Sequence, residues 1–417
     1  MSRVARKPLD FSAFWHAPYR PLFLAAFLSA LFSVAWWPLG VRLGLPAPGL
    51  APAVLWHIHE LIFGFAAAAV GGYLLTALPG WTGREPLRGR GLQALVLTWG
   101  LARVATAVAM ALPPAVPLVL NAAYFLGLAG IIGYQVIAAR AYRKLGFVGA
   151  VVMLGLVEAL FLNAALAGRV LTGLYLAQTL LIGFALLMTG VAAWAIPAFT
   201  RNWLVQSGHT GPGVRERPLA RAAAQVFLGL GLVLRLAGYT DAASVILIAA
   251  ATAMFWTMSG WRSRAVLFNP LLAALHLAYL WVPVGILSLG VIGLGLVAYP
   301  AGDAIHTITI GAMAGLIMAI AGRAASHTAS GDMRAGAGFV LGVLAIWITT
   351  WLRLSAPFFP ARSGDIHVAA ALLWALGWIA FILGFIPALS GPVQRPVLSG
   401  RKHIGPGQQG NKVKGVG

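Results

Sequence analysis

Twelve apolar stretches, each long enough to cross a bilayer at about 20 residues, follow one another along this chain. A segment in hydrocarbon must satisfy its own backbone N–H and C=O groups, and segments of this length do so as α-helices. The expected fold is an all-α integral membrane protein, a bundle of about 12 transmembrane helices. The stretches fall at 21–42, 55–78, 91–112, 115–138, 147–168, 172–195, 218–238, 241–258, 270–294, 303–323, 336–355 and 366–389. Pro- and Gly-rich breaks separate them, such as "LPAPGLAP" at 45–52 and "LPPAVP" at 112–117. Residues 1–20 read as a basic N-terminal segment, 21–389 as the transmembrane domain and 390–417 as a basic, Gly-rich tail expected to be disordered. No small-residue cleavage site follows the first stretch, which therefore reads as a retained helix.

Composition closes off the soluble alternatives. Charged residues make up 9% of the chain, against about 25% in a soluble domain. The net charge of +20 reads as topology, because the basic residues lie between apolar runs and form no block on a soluble face; no nucleic-acid partner is expected. With twelve crossings, 23 of the 29 Lys and Arg fall on one side together with both termini. The positive-inside rule makes that side the cytoplasm. Cysteine is absent, so any metal must be held by His, Met or carboxylate. A faint repeat accompanies the helices: "ALPGWTG", "AIPAFTR" and "ASHTA" place Thr82, Thr200 and Thr328 near three predicted helix ends.

The second stretch, "WHIHELIFGFAAAAVGGYLLTALPGWT", opens on His57, His59 and Glu60. His306 opens the tenth and His367 the twelfth, so in the predicted topology all four histidines gather near the outer face. His276 in the ninth stretch and His327 after the tenth lie toward the cytoplasmic side. Any one histidine at a helix mouth is explained by snorkelling into the headgroup layer, and His367 is assigned that role. Asp303 and Asp365 read as helix caps. Residues i and i+2 of a regular helix point about 200° apart, so His57 and His59 either serve different partners or sit on an unwound helix mouth. Below them Leu61, Gly64, Ala68, Gly71 and Gly72 form a stripe, mostly of small residues, suited to a neighbouring helix or to a flat macrocycle. Arg42, Arg103, Arg235 and Arg353 lie in outer helix parts, where each either snorkels or meets an anionic group such as a haem propionate. Glu158, in the middle of the fifth stretch, and Glu60 are candidates for proton handling.

"YRPLFL", "WHIHELIFGF", "LLTALPGWTGREPL", "IPAFTRNW", "NPLLAALHLAYLW" and "HTITIGAMAGLIMAIAGRAASHT" resemble, in order, the NnrS family. The resemblance implies a bacterial inner-membrane protein of twelve helices that contains haem and copper and is tied to nitric oxide metabolism and nitrosative stress, often alongside denitrification. His57, His59, Glu60, His276, His306 and His327 fall on the family pattern. After His327 the family continues with a Gly-Arg-Pro-Leu run, where this chain has "HTASGDM".

The resulting expectation is a haem protein that senses, detoxifies or reduces nitric oxide. His57, His59, His306 and Arg103 are the outer cofactor-binding candidates. His276 and His327 are the candidates for an inner copper site. Glu60 and Glu158 are the candidate catalytic carboxylates, with Glu60 placed on the same helix face as His57. Partners would be membrane lipids, nitric oxide as ligand or substrate and a membrane electron donor. The competing reading is a transporter without a redox cofactor, for which twelve helices with Gly/Pro-broken segments are also suited.

Overall fold

A computed structural model describes residues 9–328, 332–393 and 397–398. The described residues form twelve long helices: α1 (Tyr19–Gly40), α2 (Ala53–Thr82), α3 (Arg90–Ala107), α4 (Ala115–Ala138), α5 (Tyr142–Leu166), α6 (Val170–Gln206), α7 (Pro218–Leu236), α8 (Thr240–Met258), α9 (Pro270–Gly293), α10 (Ala301–Ala324), α11 (Ala337–Phe358) and α12 (Pro360–Leu389). Eleven are long and apolar enough to cross a membrane. The exception, α3, carries Arg90, Gln93 and Arg103 within 18 residues. Among the described residues the one β pairing is an isolated bridge between His327 and Met333. The protein is an all-α, multi-pass membrane protein.

Each helix packs on the next in sequence, and α12 returns to close against α1. Polar groups fix that closure. Tyr19 donates its hydroxyl to the Ala388 carbonyl at 3.1 Å, and buried Arg20 donates to the carbonyls of Ser390 and Gly391. Gly391 N–H in turn donates to the Asp10 carbonyl. The two ends of the bundle therefore meet.

The helices are not equally buried. In the most apolar window of α2, 72% of residues are buried, and in α10 61%, against 17% in α7. These two inner helices also depart from regular α geometry. Each widens into a π-helical stretch just past its histidines, Glu60–Ala66 in α2 and Thr307–Ala314 in α10. Such wide turns are uncommon and concentrate at functional sites.

Several expectations change. The sixth helix runs on through Pro197 and Thr200 to Gln206, so Thr200 is interior and not at a helix end. The repeat built on helix-terminal threonines therefore loses one of its three positions, while Thr82 does end its helix. The small-residue stripe of α2 serves neighbouring helices: a methyl added at Gly72 would lie 2.9 Å from Phe23, and one at Gly71 2.6 Å from Tyr124. Of the tail, Ser390 and Gly391 hold Arg20, while Val397 and Leu398 accept hydrogen bonds from His327 and Arg323. Residues 394–396 and 399–417 of the tail that was expected to be disordered lie outside the described residues.

The seam between α9 and α10 depends on close approach. A methyl at Gly311 would sit 2.5 Å from Cγ of Trp281, whose rigid ring is buried. Overpacking of this kind costs roughly 1–3 kcal/mol. Gly311→Ala should lower the melting temperature of the detergent-solubilised protein. Gly229→Ala, where nothing lies within 4 Å, should leave it unchanged or raise it.

Candidate functional site

A cavity of about 480 Å³ lies between α1, α2, α6, α10, α11 and α12, within the roughly 300–1,000 Å³ span of small-molecule sites. Its wall is largely apolar, with Trp37, Leu61, Phe65 and Trp374 among the lining residues. Into it open His57 of α2, His306 of α10 and His367 of α12. His57 Nδ1 and His367 Nε2 are buried and have no hydrogen-bond partner among the described residues. His306 Nδ1 lies 3.1 Å from the Asp303 carbonyl. A carbonyl only accepts, so Nδ1 carries the proton, and in the neutral ring Nε2 is the nitrogen left free for a ligand. Arg353 of α11 borders the cavity and is ion-paired with Asp303. Asp303 therefore holds an arginine, and its carboxylate makes no cap to its own helix. Gln178 of α6 also lines the cavity and accepts from Arg235 at 3.2 Å.

His59 does not share this cavity. It turns to the other side of α2, as the i, i+2 geometry of a regular helix requires, and is fully buried. Its Nδ1 is 3.0 Å from Glu60 Oε1 and its Nε2 is 3.3 Å from Glu158 Oε1. Arg103 of α3 reaches both carboxylates, at 3.0 Å for Glu60 and 3.4 Å for Glu158. It also donates to Asn121 of α4, which is anchored by its own bonds to Thr106 and the Pro117 carbonyl. Five polar side chains from α2, α3, α4 and α5 thus form one network inside the bundle. Gly64 makes room for it, since a methyl there would lie 3.1 Å from Glu60 and 3.2 Å from Arg103.

Glu60 was expected on the cavity face beside His57, and Arg103 beside a cofactor. The structure joins them to each other instead. A buried guanidinium and buried carboxylates are each costly alone and are found paired, and α2 widens from regular α geometry to a π-helical turn starting at Glu60. Among the arginines considered for an anionic cofactor group, Arg353 borders the cavity, whereas Arg42 is exposed.

The inner candidates stay apart from both groups. His276 has both ring nitrogens engaged by hydroxyls, Nε2 with Thr200 at 2.8 Å and Nδ1 with Ser263 at 2.9 Å. His327 Nε2 donates to the Val397 carbonyl at 2.8 Å. Among the described residues no three metal-ligating side chains are grouped for a metal ion. As placed, His276 and His327 do not fit a copper centre. The histidine-lined cavity, by contrast, combines imidazole nitrogens without partners among the described residues, a largely apolar wall and a bordering arginine.

His367 is the cavity residue that sequence reasoning set aside. Its signal was present, as a histidine opening the last helix at the same predicted depth as His57 and His306. Helix adjacency was the missing information, because the ring closure that brings α12 beside α2 and α10 is a tertiary fact.

The model of one protein family, described as NnrS protein, matches residues 13–392. A search of the curated proteins finds no match.

Removing one partner of a buried ion pair costs about 3–5 kcal/mol, because the other charge is left unpaired. Arg103→Met should therefore sharply lower the melting temperature. Adding Glu158→Gln to it should recover part of the loss, so that the two changes are clearly non-additive. Strictly additive losses in this double-mutant cycle would show that Arg103 and Glu158 act independently.

Proposed function

Because the chain belongs to the NnrS family, whose members are membrane proteins of the nitric oxide response, we propose that the cavity between α2, α10 and α12 binds haem and that the haem meets nitric oxide within a bacterial inner membrane. One observation carries this reading. Histidines from three separate helices converge on one largely apolar cavity, and two of them present nitrogens with no protein partner.

His57 and His306 are the proposed iron ligands. Neutral imidazole is a common haem ligand, and the hydrogen bond from His306 Nδ1–H to Asp303 orients its ring and leaves Nε2 to bind. His367 is held in the same wall as a third imidazole. Arg353, neutralised in part by Asp303, offers its guanidinium edge to an anionic substituent. When bound, haem supplies an iron that takes up a diatomic ligand. The apolar wall excludes water and suits an uncharged ligand that concentrates in the bilayer. The Glu60–His59–Glu158 network lies across α2 from the cavity and serves there as a fixed charged support. Copper remains an implication of the family alone, since both nitrogens of His276 are matched and no three ligating side chains are grouped among the described residues.

The visible spectrum of the purified protein tests the proposal and separates it from a cofactor-free transporter. A Soret band is expected. His57→Ala and His306→Ala should each shift the band or lower haem content severalfold, while His59→Gln should leave the band in place. Wild-type spectra and haem content in both alanine variants would overturn the site.

A further inference from the structure

The empty space between α2, α6 and α10 does not stop at the histidine-lined cavity. A second cavity of about 90 Å³ continues along the same three helices. The first is bounded by residues 54–65 of α2, 174–181 of α6 and 302–313 of α10. The second is bounded by residues 66–74, 184–192 and 313–320 of the same helices. The two runs abut on each helix, and Met313 lines both cavities.

The two cavities differ in chemistry. The first presents imidazole, guanidinium and amide groups. The second is walled almost entirely by apolar side chains such as Ala69, Val70, Phe184, Met188 and Ile317, with Tyr73 the one lining residue that carries a hydroxyl. Val70, Met188 and Ile317 are half-buried, so the cavity is open on one side rather than sealed. A single hydroxyl cannot replace the hydration shell of an ion, so the space favours an uncharged molecule. The space is smaller than the roughly 150 Å³ apolar cavity that stays dry and takes benzene or xenon. It suits a molecule of two or three heavy atoms. At the neck stands a methionine, whose unbranched side chain has three rotatable bonds and adapts readily to its surroundings.

We propose that the α2–α6–α10 seam is a passage through which a small uncharged molecule moves between the surroundings of the bundle and the histidine-lined cavity, with Met313 as its neck. The proposed function supplies only the identity of the gas, nitric oxide; the passage itself rests on the two abutting cavities.

Xenon and ligand kinetics test it. Crystals of the detergent-solubilised protein held under xenon should show xenon in the second cavity. In Ala69→Phe the added ring should fill that space and remove the xenon. In the haem-loaded protein the same variant should keep the wild-type Soret band and slow nitric oxide association after flash photolysis by about tenfold, a barrier rise of roughly 1.4 kcal/mol. Met313→Ala, which removes atoms and needs no space for a new ring, should speed association instead. Absence of xenon from the second cavity, an acyl or detergent chain filling it, or association rates unchanged in both variants would overturn the passage. A protein that takes up xenon there but shows no Soret band would overturn the haem reading and leave the passage standing.

Discussion

Arg103 is the side chain on which the interior of this protein depends. It reaches two buried carboxylates that flank His59 inside the bundle. The low dielectric makes any unpaired member of this group expensive. Satisfying all of them at once demands particular positions for α2, α3, α4 and α5. The network therefore acts as a register pin: sliding one helix by a turn would strand a charge. That requirement also accounts for the one long helix that falls outside the eleven apolar enough to span on their own. Arg103, which together with Arg90 and Gln93 makes α3 less hydrophobic, is the group that ties it to α2 and α5.

The pin has consequences on the other side of α2. His57 and His59 lie two residues apart and point in opposite directions. Once His59 is fixed between Glu60 and Glu158, His57 must project away from the network. There it meets the mouths of α10 and α12, and the cavity results. The π-helical stretches that follow the histidines in α2 and α10 place irregular backbone where the two most buried helices flank this space. Charge pairing thus occupies one face of α2 and leaves the other free for a ligand. A single short motif supplies both.

The part of the bundle around His276 and His327 is built differently. His276 spans two hydroxyls, one from α6 and one from the loop before α9. Arg323 and His327 donate to the backbone of the C-terminal segment. These contacts lock chain segments together, and both ring nitrogens of His276 are matched. Like residues therefore serve unlike ends. A histidine whose nitrogens are all matched is a strut, and one with an unmatched nitrogen aimed at a cavity is a candidate ligand.

Local chemistry explains why so much was legible in the sequence. Twelve apolar runs, their Pro and Gly breaks and the scarcity of charge fix an all-α membrane bundle, because hydrocarbon tolerates no unpaired backbone. The motif at Trp56–Glu60 marked the site for a similar reason: polar groups in such a helix are costly and seldom idle. Helix periodicity gave the opposed directions of His57 and His59. It could not say which of the two faced empty space. It also misplaced Glu60, because the turn there is π-helical and a distant arginine claims the carboxylate. The partnership of Arg103 with Glu158, the entry of His367 into the cavity and the satisfied nitrogens of His276 all join residues far apart in the chain. They depend on which helices become neighbours, and only the closing of α12 onto α1 around the buried α2 and α10 decides that.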